Sequence, residues 1–275
     1  MTRAPPPTDF GDCADPTSDE FVDDERVYQW KIDLTAAYRQ LHVHPGDFWK
    51  RVKQWGGNAY LDVRGQFGDA SQVEGFQAIT NFIVHLVNRL IDGDTDLRQK
   101  CRFLAHLWPV LDSRPKTANA ARWLHERTRA DLQGDDLRLH FLEGYLDDYL
   151  GLALGRRRAW AMMLMTAALI RHLGFPLKDK KTETPTRVMV ALGAVVDIDA
   201  DRVSLDRSRA SRYRELVKRT SSKKSIRTKE LQSLAGKLVN AAQFHVAGRA
   251  WLTSIFTSLR TALRRRKSRA FLGVG

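Results

Sequence analysis

The chain has 275 residues, of which 43% are hydrophobic and 28% are charged, with 45 Lys and Arg against 32 Asp and Glu. This is the composition of a globular protein with one large domain or two small ones, and it excludes collagen-like, fully disordered and disulfide-scaffold classes. Its two cysteines form neither a disulfide framework nor a zinc-binding pattern, so we expect a reducing, intracellular location, nuclear or cytoplasmic. The longest apolar run has 12 residues, too short to span a bilayer, so no membrane partner is expected.

Charge is distributed unevenly along the chain. The first 25 residues contain eight acids and one base, whereas the residues from Arg207 to the end contain 18 bases and two acids. A basic C-terminal third favours a polyanionic partner, nucleic acid first, because each neutralised phosphate releases counterions. The alternative is a solvated basic tail.

The first half of the chain begins with an acidic flexible tail over residues 1–26, which is rich in Pro and lacks apolar periodicity. Strand-like segments follow, bounded by turn residues; they are Tyr28–Asp33, Gln40–His44 and Ala59–Val63. A regular apolar stripe predicts a helix over Phe76–Ile91. Residues 92–140 are predicted to be a helical insertion broken at Pro109 and Pro115.

The second half begins with a predicted β-hairpin over Phe141–Leu154. A helix is predicted over Arg156–Leu173 and ends at Gly174. A strand over Val188–Val196, interrupted at Gly193, leads to a second strand near 202–205. From residue 207 to 263 the pattern is helical, with Thr228 as an expected N-cap, and residues 264–275 form a basic tail.

The aspartate pair at the centre of the predicted hairpin, Asp147 and Asp148, is the sharpest chemical feature of the sequence. Two adjacent carboxylates among apolar residues are costly unless a cation compensates them. A tight turn allows neighbouring side chains to converge on one ion. The alternative is a hairpin turn without function, because Asp is common in turns.

Three further segments surround this pair in a fixed order: Lys31–Pro45 (KIDLTAAYRQLHVHP), Gln66–Phe76 (QFGDASQVEGF) and Leu173–Glu183 (LGFPLKDKKTE), with Leu192-Gly193 beyond. Together with the hairpin they resemble successive motifs of reverse transcriptases. The resemblance is closest to retrotransposon types, in particular DIRS-like, tyrosine-recombinase-associated elements. It covers about residues 28–262.

The resemblance implies an α+β fold: a polymerase palm over residues 27–206, with an antiparallel sheet and packed helices, and a helical thumb over 207–263. It implies RNA-directed DNA synthesis by two-metal nucleotidyl transfer from a dNTP to a primer 3′-hydroxyl. Asp33, Asp147 and Asp148 would bind two Mg²⁺ ions, with Mn²⁺ as an alternative. The partners would be an RNA or DNA template-primer duplex and the dNTP.

Further roles follow residue by residue from the same resemblance. The backbone carbonyl of Leu34 would complete the metal ligands, and Lys181 would be the general acid for pyrophosphate, with Lys180 as a close competitor. The remaining substrate-binding residues implied are Tyr38 at the sugar, Phe67, Gly68, Ser71 and Phe76 in the segment towards template and base, Tyr145 beside the aspartate pair, and Leu192 and Gly193 at the primer. Bases expected to follow the duplex backbone are Lys223, Lys224, Arg227, Lys229 and Lys237. The run Arg264–Lys267 is read either as a nuclear address or as a phosphate-binding or solvated tail.

The sequence also departs from the family pattern. Ala36 replaces a polar residue near the triphosphate, and Asp69 brings an acid close to a polyanion. About thirty mostly acidic residues precede the first motif where relatives have a domain-sized segment, so the fingers are expected to be largely missing. A second hypothesis is therefore a truncated, catalytically inactive remnant that at most binds nucleic acid.

Overall fold

The computed structural model describes residues 15–17, 24, 26–64, 70–113, 140–245, 248–265 and 268–271. The chain divides into two compact units, Met1–Met189 and Val190–Gly275. This division lies closer to the N-terminus than the palm–thumb boundary expected at residue 206. None of the helices in the described residues has the length and apolar character needed to cross a membrane.

The first unit is built on a four-stranded antiparallel sheet with the strand order β4-β5-β1-β6. The strands are β1 (Val27–Asp33), β4 (His140–Tyr145), β5 (Asp148–Leu154) and β6 (Glu183–Thr186). β1 pairs with β5 on one side and with β6 on the other. It is buried on both faces at all but one position, which explains why its sequence, VYQWKID, alternates poorly between apolar and polar residues.

Two long helices, α2 (Ala70–Ile91) and α5 (Arg156–His172), pack on this sheet and on each other. The apolar stripe of α2 is buried at Phe76, Ile83, Val87 and Leu90. α5 is rich in Ala and Met and is followed by Leu173 and Gly174, and the φ of 87° at Gly174 is a conformation that glycine adopts without strain. The sheet, α2 and α5 share one apolar core.

The described residues of the first unit also form shorter elements. They are α1 (Ala37–Gln40), the hairpin β2 (Val52–Trp55) and β3 (Asn58–Leu61), α3 (Thr95–Lys100), α4 (Trp108–Leu111), and 3-10 turns over Pro45–Arg51, Arg102–Leu107 and Asp179–Lys181.

The second unit is mainly helical. Its helices are α6 (Arg207–Ser221), α7 (Thr228–Ala242) and α8 (Thr253–Arg264). A three-stranded sheet is formed by β7 (Val188–Ala191), β8 (Ala194–Asp197) and β9 (Arg202–Leu205), and the unit boundary falls within β7. A 3-10 turn covers Ala250–Leu252, and β10 (Ser225–Arg227) pairs with β11 (Arg269–Phe271). Leu231 and Leu234 of α7 form a small separate core with Ile226 and Ala262.

The predicted α+β class, with antiparallel sheets and a helical C-terminal region, is confirmed. The hairpin and the helix beginning at Arg156 lie where they were expected. The helix expected over Phe76–Ile91 is present, but it begins earlier, at Ala70. The strand expected at Gln40–His44 was wrong: this segment makes a single bridge from His42 to Arg64 and then enters a 3-10 turn at Pro45. Thr228 is not the N-cap, because it is already the first residue of α7 and Arg227 stands at the cap position, without a capping hydrogen bond from its side chain.

Candidate active site in the first unit

The central feature of the site is a pair of carboxylates on neighbouring strands. The antiparallel register of β1 and β5 places Asp33 directly opposite Asp148. Directly opposite residues of such a pair have Cβ atoms about 4.5–5.5 Å apart. Asp33 is 3% exposed, so two acidic groups that are distant in sequence lie side by side with little access to water.

Two lysines neutralise this acidic pair. Lys31 Nζ lies 3.1 Å from Asp148 Oδ1, and Lys181 Nζ donates a hydrogen bond to Asp33 Oδ2 at 3.3 Å. The side chain of Lys31 is 12% exposed, whereas that of Lys181 is 55% exposed. Lys31 is therefore a fixed counter-charge inside the sheet, and Lys181 reaches the site from the surface.

The environment of Asp148 disfavours its charged form. Burial raises the pKa of Asp148 above that of an ordinary carboxyl, the Lys31 ammonium lowers it, and the charges of Asp33 and Asp147 raise it further. The pKa of Lys181 is raised as well, because its ammonium binds Asp33. Lys181 therefore keeps its proton at neutral pH.

The third predicted carboxylate, Asp147, lies in the two-residue turn between β4 and β5. Its backbone carbonyl accepts a hydrogen bond from the N–H of Leu34 at 3.0 Å, which ties the turn to the end of β1. Within the residues that the structure describes, no group of three or more His, Cys, Asp or Glu side chains is arranged so as to hold a metal ion. In this structure the charges of Asp33 and Asp148 are balanced by lysines.

The structure also locates part of the predicted substrate-binding set. Leu34 is buried, and Tyr145 is 58% exposed at the end of β4, paired with Asp148. Tyr38 lies in α1 and Ser71 in α2, but their side chains are outside the described part of the structure, as are Phe67 and Gly68 altogether. Phe76 is completely buried and makes an edge-to-face contact with Phe175, so it is a core residue.

Lys31 is the site residue that sequence reasoning missed. Its signal was present, because residues two apart on a strand point to the same face and Lys31 precedes Asp33 by two. Between the competing lysines, it is Lys181 that contacts Asp33.

In the second unit, Leu192 and Gly193 form the turn between β7 and β8, with φ values of 49° and 85°. The guanidinium of Arg209 packs so closely against Gly193 that a Cβ built there would lie 1.7 Å from Nη1. The predicted duplex-binding bases, Lys223, Lys224, Arg227, Lys229 and Lys237, are all exposed.

A basic groove in the same unit is lined by one of those bases, Lys237, and by residues of α6 that were not among the predicted ones. Its lining has four bases against one acid, Glu215, and includes Tyr213 and Leu216; the bases are Arg209, Arg212, Arg219 and Lys237. The three arginines are spaced by three and seven residues, so they share one helix face. This spacing was a usable signal, but it was obscured by the many other bases of the segment.

Comparison with known proteins gives a match in fold alone. No protein-family model and no curated protein sequence matches the chain. A foamy viral protease-reverse transcriptase (dRH) in complex with double-stranded DNA aligns with a TM-score of 0.54 at 14% identity, over 87% of this chain and 32% of that one. The foamy viral protease-reverse transcriptase in complex with an RNA/DNA hybrid aligns with a TM-score of 0.58 at 13% identity, over 92% and 26%.

These alignments show that the protein has a reverse-transcriptase-like fold. The chain spans between a quarter and a third of the length of the two solved structures. At this identity the match concerns the arrangement of strands and helices. The function must therefore be inferred from the residues of the acidic pair and of the basic groove.

Proposed function

We propose that the protein is the core of an RNA-directed DNA polymerase from a retrotransposon-like element, with the acidic pair as its catalytic centre. The observation that carries this proposal is the register of β1 and β5, which brings Asp33 opposite Asp148 next to the Asp147 turn. The DIRS-like subtype is part of the proposal and is supported by the sequence motifs alone.

Asp33, Asp147 and Asp148 would hold Mg²⁺, or Mn²⁺ in its place. Carboxylate oxygens are the ligands that these cations prefer. The carboxylate oxygens of these residues are therefore suitable ligands for such a cation. Asp33 and Asp148 already lie beside positive charges, those of Lys181 and Lys31 respectively. When bound, the two metal ions would activate the primer hydroxyl and stabilise the leaving group.

The protein's own residues supply the rest of the proposed reaction. Lys181 carries a proton at the surface of the site, where it would meet the triphosphate and protonate the pyrophosphate as it leaves. Lys31 keeps Asp148 in place on β5. The turn at Leu192 and Gly193 and the bases of the second unit would hold the template-primer by its phosphates.

Primer extension on an RNA template, with dNTPs and Mg²⁺, tests this proposal. We expect extension by the wild type, and its loss in Asp33→Asn and in the double variant Asp147→Asn with Asp148→Asn. Asp96→Asn is the matched control, because Asp96 is an exposed carboxylate on α3 that pairs with Lys100 of the same helix. Loss of extension in that control as well would contradict the proposed site.

A second candidate function is nucleic-acid binding without catalysis. It is favoured by the lysines that balance the acidic pair and by the absence of a metal-holding group among the described residues. It predicts no extension by any variant, together with template-primer binding that weakens as salt increases.

A further inference from the structure

Two polar side chains of α2 reach across to the turn that carries the aspartates. The amide of Gln77 accepts a hydrogen bond from the N–H of Leu146 at 3.0 Å and donates one to the carbonyl of Gly144 at 3.0 Å. The hydroxyl of Thr80 donates to the carbonyl of Leu146 at 2.5 Å. Both backbone polar groups of Leu146, the residue before the aspartate pair, are thus bound by side chains one helical turn apart.

The conformation of Leu146 explains why such support is needed. Its φ is 55°, in the left-handed region that residues with a side chain rarely adopt. Its side chain nevertheless packs against the apolar core. A strained residue keeps such a conformation only when its surroundings hold it there. The hydrogen bonds of Gln77 and Thr80 hold Leu146 from the side of α2. The hydrogen bond from the N–H of Leu34 to the carbonyl of Asp147 holds Asp147 from the side of β1.

The packing around Thr80 leaves no room for the turn to shift towards α2. Thr80 is fully buried, and a Cβ built on Gly144 would lie 2.2 Å from its methyl group. Valine has nearly the shape of threonine but no hydroxyl, so it would leave the carbonyl of Leu146 without this donor. What threonine provides at this position, and valine would not, is therefore the hydrogen bond to the turn.

We propose that Gln77 and Thr80 are positioning residues, which set the location of Asp147 and Asp148 by fixing the backbone of Leu146. This inference rests on the proposed polymerase function, because it assigns the two residues a part in the same reaction. It goes further by placing a determinant of the reaction rate on a helix that contributes no carboxylate to the site.

The test compares four variants. Thr80→Val removes the hydroxyl and keeps the shape, and Thr80→Ser keeps the hydroxyl. Gln77→Met keeps a similar side-chain length but removes both hydrogen bonds to the turn, together with the one that Gln77 donates to Asn81. Glu74→Gln is the control, an exposed residue of the same helix. Each variant is measured by steady-state primer extension and by amide hydrogen exchange over residues 144–148.

In primer extension, we expect Thr80→Val and Gln77→Met to lower kcat about ten- to a hundredfold, since misplacement of reacting groups by ~1 Å costs about a hundredfold. KM for the dNTP should stay unchanged, and Thr80→Ser should recover most of kcat. Wild-type kcat in Thr80→Val and Gln77→Met would overturn the inference, as would equal losses in Thr80→Ser and Thr80→Val. A simple loss of fold would instead lower the amount of active enzyme and the melting temperature together.

Hydrogen exchange separates this inference from the proposed function. We expect faster exchange at residues 144–148 in Thr80→Val and Gln77→Met, with the protection of β1 retained. If the wild type extends no primer, the polymerase proposal fails. Separately, unchanged hydrogen exchange in Thr80→Val and Gln77→Met would show that α2 does not fix the turn. If Thr80→Val does not fold, Gln77→Met decides by the same two measurements.

Discussion

At the scale of single residues, Asp148 is held where its negative charge is costly. Burial raises its pKa, the ammonium of Lys31 offsets only part of that effect, and the like charges of Asp33 and Asp147 raise the pKa further. A group whose pKa is higher in the folded state binds more protons there than in the unfolded state. Its contribution to stability is therefore present below the ordinary carboxyl pKa and is lost as pH rises through the folded value.

The first prediction concerns this residue. Asp148→Asn resembles the protonated carboxyl, so we expect it to raise the free energy of unfolding at pH 7 while abolishing the proposed activity. The gain over the wild type should shrink towards acid pH, where the wild-type carboxyl is protonated. Urea unfolding from pH 4 to pH 7 in the presence of EDTA measures this difference without a contribution from bound metal. A variant less stable than the wild type at pH 7 would contradict the prediction.

The residues of the site were only partly predictable from the sequence. Asp147 and Asp148 stand out because two adjacent acids among apolar residues are unusual, and Asp33 entered through the ordered motifs around it. The ion pair of Lys31 with Asp148 depends on the register of two distant strands, which no local pattern specifies. The hydrogen bonds of Gln77 and Thr80 to the turn, 66 to 69 residues away in sequence, were not predictable for the same reason.

At the scale of elements, the central strand β1 packs against β5 through a contact between the indole ring of Trp30 and Gly151. Trp30 is fully buried opposite Gly151, and a Cβ built on Gly151 would lie 2.1 Å from the indole. The indole therefore occupies the space that a side chain on β5 would need. This contact aligns the two strands that bring Asp33 and Asp148 together.

The second prediction follows from this contact. Gly151→Ala should destabilise the protein by about 1–3 kcal/mol, the usual cost of overpacking a tight core. Gly75→Ala is the matched control: this glycine is exposed on α2, and its nearest neighbour would be a methyl of Leu41 at 3.9 Å. It should stabilise the protein by about 0.5–1 kcal/mol, because alanine is the better helix former. Thermal unfolding measures the change in stability of both variants. Similar changes in the two would contradict a tight contact between Trp30 and Gly151.

Secondary structure was predictable where the pattern was long or ended by a clear signal. The stripe of α2 and the glycine after α5 belong to this group. Gln40–His44 looked like a strand because His, Val and Leu alternate there, but it has one bridge and no neighbouring strand to extend it. Pairing partners, unlike periodicity, are decided by the rest of the chain.

At the scale of the whole molecule, the two units differ in charge. Residues 190–275 contain 19 Lys and Arg against 6 Asp and Glu, and residues 1–189 contain 26 of each kind. The net charge of +13 therefore belongs entirely to the second unit. Binding to a polyanion should accordingly be controlled by this unit, in which Arg212 and Arg219 line the basic groove.

The third prediction uses this difference. The double variant Arg212→Gln with Arg219→Gln should weaken template-primer binding and reduce the slope of log K against log salt by about 0.9 for each phosphate that the variant no longer neutralises. The control is Lys50→Gln with Lys100→Gln, which removes the same charge from exposed positions of the first unit. Fluorescence anisotropy from low to high salt measures both slopes. Equal changes in the two double variants would mean that net charge alone controls binding.

The strand order of the first unit also has a consequence for how the protein is made. The β4–β5 hairpin closes through a two-residue turn and can form on its own in microseconds. Strand β1, in contrast, leaves the ribosome first and lacks its main partner until residues 148–154 follow, on the order of ten seconds later at ~5–20 residues per second. During that interval a strand that is buried on both faces in the folded protein lacks both of its partners, β5 and β6. Nascent chains stalled before residue 148 should therefore depend on chaperones more than chains stalled after residue 154.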